Sequence, residues 1–191
     1  RTGTSAEIEI MPWARAYSYA QSGERVLIFT ITRTPEREPL FKWIGPVAER
    51  SLYFYSLKKR TDIRIRKPAD AEKLVTGAVN MDASHVELLK LGFVPGKNID
   101  IVSSNENSIR MLFAGRFDLI TGSDLTIVHL CRKMKLNPQD LVRQCPLVHS
   151  GEYFIAFSLK TPDELVQRFR KAFMQMQGDG TFGKIRSAYL R

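Results

Sequence analysis

Cysteine is scarce in this chain: Cys131 and Cys145 are the two among 191 residues, which excludes a disulfide scaffold as the basis of the fold. Histidine is nearly as rare, at three residues. His129, Cys131, Cys145 and His149 make a stretch of metal-capable side chains. On a helix His129 and Cys131 would point about 200° apart, and no C-x-x-C pair accompanies them, so no metal centre is expected. The thiols leave two readings open: a Cys131–Cys145 disulfide, favoured by an oxidising compartment, or two reduced cysteines. No apolar run approaches the roughly 20 residues that span a bilayer; the longest, residues 26–31, already contains Thr30. The opening RTGTS shows no initiator Met, basic stretch or apolar core of a signal peptide, which fits a processed chain or one trimmed at the front.

Acids are in deficit. Asp plus Glu number 20 against 29 Lys plus Arg, for a formal net charge of +9. Such a surplus invites a nucleic-acid reading. The densest clusters, Lys58-Lys59-Arg60 and Arg64-Ile65-Arg66-Lys67, fall in an apparent loop, and elsewhere bases alternate with acids, as in residues 33–38. With no aromatic RNA-binding strand or recognition-helix pattern beside them, nucleic acid is excluded as a partner. The charge instead favours small anions or anionic surfaces. Hydrophobic residues make up 43%, enough for a buried core, and the length fits one large domain or two small lobes at about 150 residues per domain.

Along the chain, residues 7–11 (EIEIM) alternate with period two, as in a half-buried strand. Pro12 suits the first turn of a helix carrying Trp13, Tyr17 and Ala20, ended by Gly23. Residues 25–32 read as an apolar strand buried on both sides, so strand, helix and strand together predict a parallel sheet. Pro35, Pro39 and Pro46 mark an irregular stretch, followed by an aromatic strand over residues 51–57. A short helix is expected at 69–75, then strand 77–80, helix 84–92, strand 99–102, helix 105–114, strand 118–121 and helix 124–135. Residues 145–148 and 153–158 are further strands. Thr161-Pro162-Asp163-Glu164 spells a capping box before the stripe Leu165, Phe169, Phe173 and Met176, and Thr181 caps a last helix.

Several motifs carry no chemistry. Residues 178–183 spell G-x-G-x-x-G, but a helix rather than a strand precedes them, so they read as a helix–helix turn. Gly122-Ser123-Asp124 lacks the spacing of a nucleophile elbow, and the S-x-x-K at Ser56 falls inside a strand. Arg37 differs. It follows the 25–32 strand, and in an open parallel sheet ligands bind beyond the strands' carboxyl ends, where a guanidinium matches a carboxylate. A surface charge paired with Glu36 or Glu38 is the plainer alternative. The helix starting near Ser84 offers free backbone N–H groups at a similar position, or simply a cap.

Residues 11–16 (MPWARA) and 32–47 (TRTPEREPLFKWIGPV), with GRFDL at 115–119 and DGTFGKI at 179–185, resemble family 3 of the bacterial extracellular solute-binding proteins. The likeness spans nearly the whole chain in the family's order. It implies an α/β, two-lobed periplasmic binding protein type II fold: lobe 1 from residues 1–47 and 157–191, lobe 2 from 48–156, with hinges near 47–52 and 153–158. The match begins after the family's first strand and helix, so that unit of lobe 1 is expected to be lacking, and self-association would repair the exposed strand edges. Arg37 matches the family's ligand-carboxylate receptor, and Thr32, which closes the strand before it, is expected to contact the ligand as well. Ser84 matches a hydroxyl and N–H contact. The acid that takes a ligand's amino group falls at Ser123 or Asp124 with a one-residue offset. Trp13, Trp43 or Phe41 would supply an apolar wall.

The implied function is non-catalytic, periplasmic binding of an amino acid or similar carboxylate by hinge closure, without cofactor, for delivery to the membrane permease of an ABC transporter. A ligand-sensing domain of a membrane signalling protein is the alternative on the same fold. A cleft enzyme such as a dehydratase would need a general acid, for which only Glu106 and Glu152 stand near.

Overall fold

The computed structural model describes residues 1–148 and 151–189. The chain divides into two compact units: unit 1 comprises Arg1–Met11, Arg15–Glu49 and Glu152–Arg191, and unit 2 comprises Pro12–Ala14 and Arg50–Gly151. All of the last strand (Glu152–Ser158) belongs to unit 1, so the second crossing lies ahead of the 156/157 boundary expected from sequence.

Unit 1 is built on a three-stranded sheet of β1 (Leu27–Thr32), β2 (Phe41–Glu49) and β8 (Glu152–Ser158), in the order β1-β8-β2. Both neighbours run antiparallel to β8. The parallel arrangement expected for the 25–32 strand is therefore not found, because its premise, a strand at residues 7–11, is missing. Those residues lie outside any strand, with Ile8 74% and Ile10 98% exposed. Alternation alone does not make a strand; it needs a ladder partner. Nor is β1 buried on both faces, since Phe29 is half exposed. Thr30 takes a φ of 58°, where the register with β8 slips between Phe29 and Ile31.

The proline-punctuated stretch also differs from expectation, since most of it is β2. Pro46 is tolerated because β2 is an edge strand and its register shifts on either side of Gly45-Pro46. Against this sheet pack α1 (Trp13–Ser22), through Tyr17 on Phe41, and α5 (Asp163–Gly178), while α6 (Thr181–Tyr189) lies on α5 with Phe182 against Phe173. A run of rings links Tyr17, Phe41, Trp43 and Phe154 at 5.6–5.7 Å, so Phe41 and Trp43 are core. The capping box at Thr161 does not form. Pro162 holds the cap position, and the Thr161 hydroxyl bonds Ser158 Oγ at 2.9 Å. The G-x-G-x-x-G residues form the α5–α6 turn, where Arg1 reaches Asp179 at 2.5 Å and the Thr181 hydroxyl at 2.7 Å.

Unit 2 is a five-stranded mixed sheet, ordered β5-β4-β6-β3-β7. Its members are β3 (Leu52–Leu57), β4 (Thr76–Val79), β5 (Ile99–Val102), β6 (Leu119–Gly122) and β7 (Leu141–Val148). The β4 strand runs parallel to β5 and β6, while β3 is antiparallel to β6 and β7. The connections are α2 (Ala83–Lys90), α3 (Asn105–Phe113) and α4 (Asp124–Lys133); the expected helix at 69–75 is a 3₁₀ turn, Pro68–Ala71.

Two cores line the two faces of this sheet, sorted by strand alternation. Leu52 and Phe54 of β3 join Ala78, Leu88, Ile99, Leu119 and Cys145. Tyr55 and Leu57 join Ile109, Leu112, Ile120, Ile127, Leu130 and Cys131. Gly77 lets the Phe117 ring lie against β4, where any Cβ would collide with it. The disulfide reading is corrected here: both cysteines are free and buried, one in each core, so the sheet lies between them. Burial raises both thiols above their usual range, which keeps them unreactive. A thiol-specific reagent should react slowly or not at all with the native chain and titrate two thiols in denaturant; a single slow equivalent or none in denaturant would contradict the assignment.

Candidate functional site

In unit 1 the turn after β1 is built by Thr34. Its carbonyl accepts the Arg37 and Glu38 N–H groups at 3.0 and 2.8 Å, and its hydroxyl accepts the Arg37 N–H at 3.3 Å. The chain then enters a short 3₁₀ helix, Glu38–Leu40. This geometry turns Arg37 inward, and the residue is 6% exposed. Its Nη1 donates to the Thr32 carbonyl at 3.3 Å, and its guanidinium lies 4.9 Å from the Tyr17 ring centroid. A guanidinium withdrawn from water on the aromatic face of a helix and the end of a strand is held in one orientation, as recognition of a planar anion requires. Glu38 is taken instead by Arg33, which grips it through two hydrogen bonds at 2.6 and 2.5 Å and lies over the Trp43 and Phe154 rings. Of the two acids considered as partners for Arg37, Glu38 is thus held by Arg33.

In unit 2, α2 follows β4 and α4 follows β6, and β4 and β6 are adjacent parallel strands. Both helix N-termini, and the Ser84, Ser123 and Asp124 expected to matter, therefore lie at one sheet edge, beyond the strands' carboxyl ends. Asp82 caps α2 by accepting the Ser84 N–H at 2.6 Å, and Ser84 is buried. Ahead of it Met81 sits at φ 58°; its N–H donates to His85 Nδ1 at 3.2 Å and its carbonyl accepts the Trp13 indole N–H at 2.9 Å. Trp13 therefore fixes the α2 entry through its indole N–H. At α4, Ser123 is the cap: its hydroxyl accepts the Thr126 N–H at 3.2 Å and donates to Thr126 Oγ1 at 2.9 Å. Asp124 accepts the Tyr55 hydroxyl at 2.5 Å on one oxygen and Arg143 at 2.7 Å on the other. Burial, and then the bond to Asp124, push the Tyr55 phenol well above its ordinary range. Arg143 also lies 4.7 Å from the Tyr53 ring centroid.

Tyr17, Tyr55 and Arg143 were missed as site residues by sequence reasoning. Tyr17 was legible as a helix-stripe residue, but nothing in its spacing says that an arginine 20 positions on stacks over it. Glu106, considered as a general acid, pairs with Lys133 at 3.3 Å, and Glu152 is exposed opposite Glu49 on β2. Among the described residues no group of three or more His, Cys, Asp or Glu is placed to hold a metal ion. His149 lies outside the described residues.

His85 gives a pH dependence with a definite sign. Burial lowers its imidazole below the usual 6.5, with Asp82 opposing. The unfolded chain then binds more protons than the folded one between the depressed folded value and 6.5, so stability present above that range is lost as pH falls through it. Protonation also removes the acceptor for the Met81 N–H. The urea midpoint is expected to fall more steeply from neutral to mildly acidic pH for the wild type than for His85→Gln. Parallel profiles would remove His85 from this account.

No family model matches the chain, and no curated protein matches it by sequence. Solved structures do. A histidine kinase sensor domain with similarity to periplasmic binding proteins superposes with a TM-score of 0.87 at 18% identity, covering 99% of this chain and 80% of that one. An ancestral arginine-binding protein bound to arginine gives 0.84 at 20% identity, covering 99% and 82%. An ancestral amino-acid-binding protein, a precursor of cyclohexadienyl dehydratase, gives 0.79 at 20% identity, covering 99% and 79%. Identities this low establish the fold alone. The chain has the two-lobed, mixed α/β fold of the periplasmic binding proteins, as the sequence resemblance led us to expect, and it spans about four-fifths of each of these neighbours.

Proposed function

We propose that the chain is a non-catalytic, extracytoplasmic module that binds a small carboxylate solute, an amino acid or a related acid, with Arg37 as the carboxylate receptor. The observation that carries this is the placement of Arg37 after β1, buried on Tyr17 and the Thr32 carbonyl, which holds its planar fork in one orientation. Ser84, Ser123 and Asp124, gathered at one edge of the unit 2 sheet, are the supporting set. Hinge closure on ligand is proposed for residues 47–52 and 153–158. The chain crossings support it, since they run side by side: Glu49 pairs with Glu152, and the Arg50 N–H donates to the Gly151 carbonyl at 2.8 Å.

Delivery of the solute to an ABC-type permease in the periplasm is the role proposed first. Sensing for a membrane signalling protein is the second, favoured by the likeness to a kinase sensor domain. A kinase or cyclase module in the native polypeptide would decide for sensing. A thermal-shift screen of amino acids, small organic acids and polyamines tests the binding itself. A ligand at 100 times its Kd adds about 2.7 kcal/mol to native stability. Carboxylates are expected to raise the melting point and Arg37→Ala to shrink the rise to about a third; a screen in which no carboxylate raises it rejects the reading.

Self-association is proposed as well, with residues 7–11 of a second copy on the free edge of β1. The segment alternates, exposes Ile8 and Ile10, and carries Glu7 and Glu9 toward a strand preceded by the exposed Arg25 in a chain of +9 charge. Light scattering should show a mass that rises with concentration and falls to the monomer in Ile8→Asp/Ile10→Asp; a monomer at the highest soluble concentration would refute it.

A further inference from the structure

The two basic clusters expected in a loop belong to an ordered strap of unit 2 that follows β3. Ile63 and Ile65 are 5% and 6% exposed and join the core of Leu52 and Phe54, while Arg64 and Arg66, alternating with them, face solvent. Gln144 of β7 fixes the strap. Its amide oxygen accepts the Ile65 N–H at 3.0 Å, and its amide nitrogen donates to Ser56 Oγ at 2.9 Å. The Cys145 N–H donates to the Ile65 carbonyl at 3.2 Å, so the strap closes part of the outer edge of β7. Asp70 accepts the Arg66 and Lys67 N–H groups at 2.9 and 3.2 Å and secures the far end.

We propose that this strap docks unit 2 on a bilayer surface rich in anionic phospholipid. Residues 58–73 carry seven Lys and Arg against three acids, Asp62, Asp70 and Glu72. Arg60 is occupied by Asp62 at 2.8 Å and by Asp118 at 2.7 Å. Lys58, Lys59, Arg64 and Arg66 are exposed and make no ion pair among the described residues. Asp140 stands beside Lys58, whose N–H its carbonyl accepts at 2.7 Å, and the surplus is still positive. Lys and Arg also carry their charge further from the backbone than the shorter acids do. None of the large exposed hydrophobic side chains falls within residues 50–80. A protein interface draws on an apolar, aromatic-rich centre, which this surface lacks. Basic side chains without apolar anchors, on a backbone already ordered, match a plane of headgroup phosphates.

Co-sedimentation of the 191-residue chain with lipid vesicles tests this. At about 50 mM salt, partition onto phosphatidylcholine vesicles with about 30% phosphatidylglycerol should exceed that onto pure phosphatidylcholine by about tenfold or more. The excess should vanish at about 500 mM salt, where charges are screened within a few ångströms. Lys59→Gln/Arg64→Gln/Arg66→Gln should cut the excess about tenfold with the melting point nearly unchanged. Lys160→Gln/Lys171→Gln/Lys184→Gln removes the same charge from exposed positions of unit 1 and should leave the excess within about threefold of wild type. No preference for phosphatidylglycerol at low salt overturns the proposal. Equal losses in the two triple variants overturn it in favour of diffuse net charge. A chain that ignores the vesicles yet binds polyglutamate through the strap overturns it in favour of an acidic protein segment.

Discussion

Phe54→Ala should destabilise unit 2 by about 3–5 kcal/mol, the range for deleting a large aromatic from a packed core. Phe54 is fully buried in β3, between β6 and β7, and stacks on Phe93 with centroids 6.3 Å apart. Around it Leu52, Ala78, Leu88, Ile99 and Leu119 close from four strands and a helix, so the site has little freedom to collapse after truncation. The measurement is a urea unfolding curve whose midpoint drops without a change in slope. Phe29→Ala is the control: the same deletion at a half-exposed ring on β1, expected within about 0.5 kcal/mol of wild type. A loss under about 1 kcal/mol at Phe54 would contradict the two-core packing of unit 2.

Arg37→Ala should weaken a bound carboxylate by about 2 kcal/mol or more, roughly thirtyfold in Kd, as for truncating one member of a buried charge pair. The side chain is also structural, since it bridges the Thr32 carbonyl and the Tyr17 face, so alanine alone would confound binding with folding. Arg37→Lys separates the two. It keeps a cation beside Tyr17 but loses the planar fork, so it should retain stability better than affinity. Calorimetric affinity unchanged in both variants would discard Arg37 as receptor.

Unit 2 was largely legible because its elements are local. β5 and α4 start where apolar periodicity and Ser or Asp caps place them, and α3 stops before Gly115. Unit 1 was less so, since its order depends on partners distant in sequence. Residues 7–11 have a strand's pattern and no strand beside them, whereas β2 has a proline and becomes a strand because β8 supplies a ladder to one side only. Thr161 spells a cap, yet its hydroxyl finds Ser158 instead. In the candidate site, Arg37 and Ser84 could be nominated from position after strands, and Ser123 or Asp124 from the family resemblance, but Tyr17, Tyr55 and Arg143 could not, because stacking and ion pairing are made across the fold.

The sequence by itself determined the alternation of strands and helices in unit 2, the surplus of positive charge and the resemblance that predicted a two-lobed fold. These depend on near neighbours and on totals, which a linear string contains. Tertiary structure alone decided that the two cysteines lie in separate cores, that Arg33 takes Glu38 while Arg37 is withdrawn onto Tyr17, and that Arg143 cancels Asp124. Each of those outcomes turns on which of several equally basic or equally apolar side chains arrives within contact range, and that is settled by sheet register and packing.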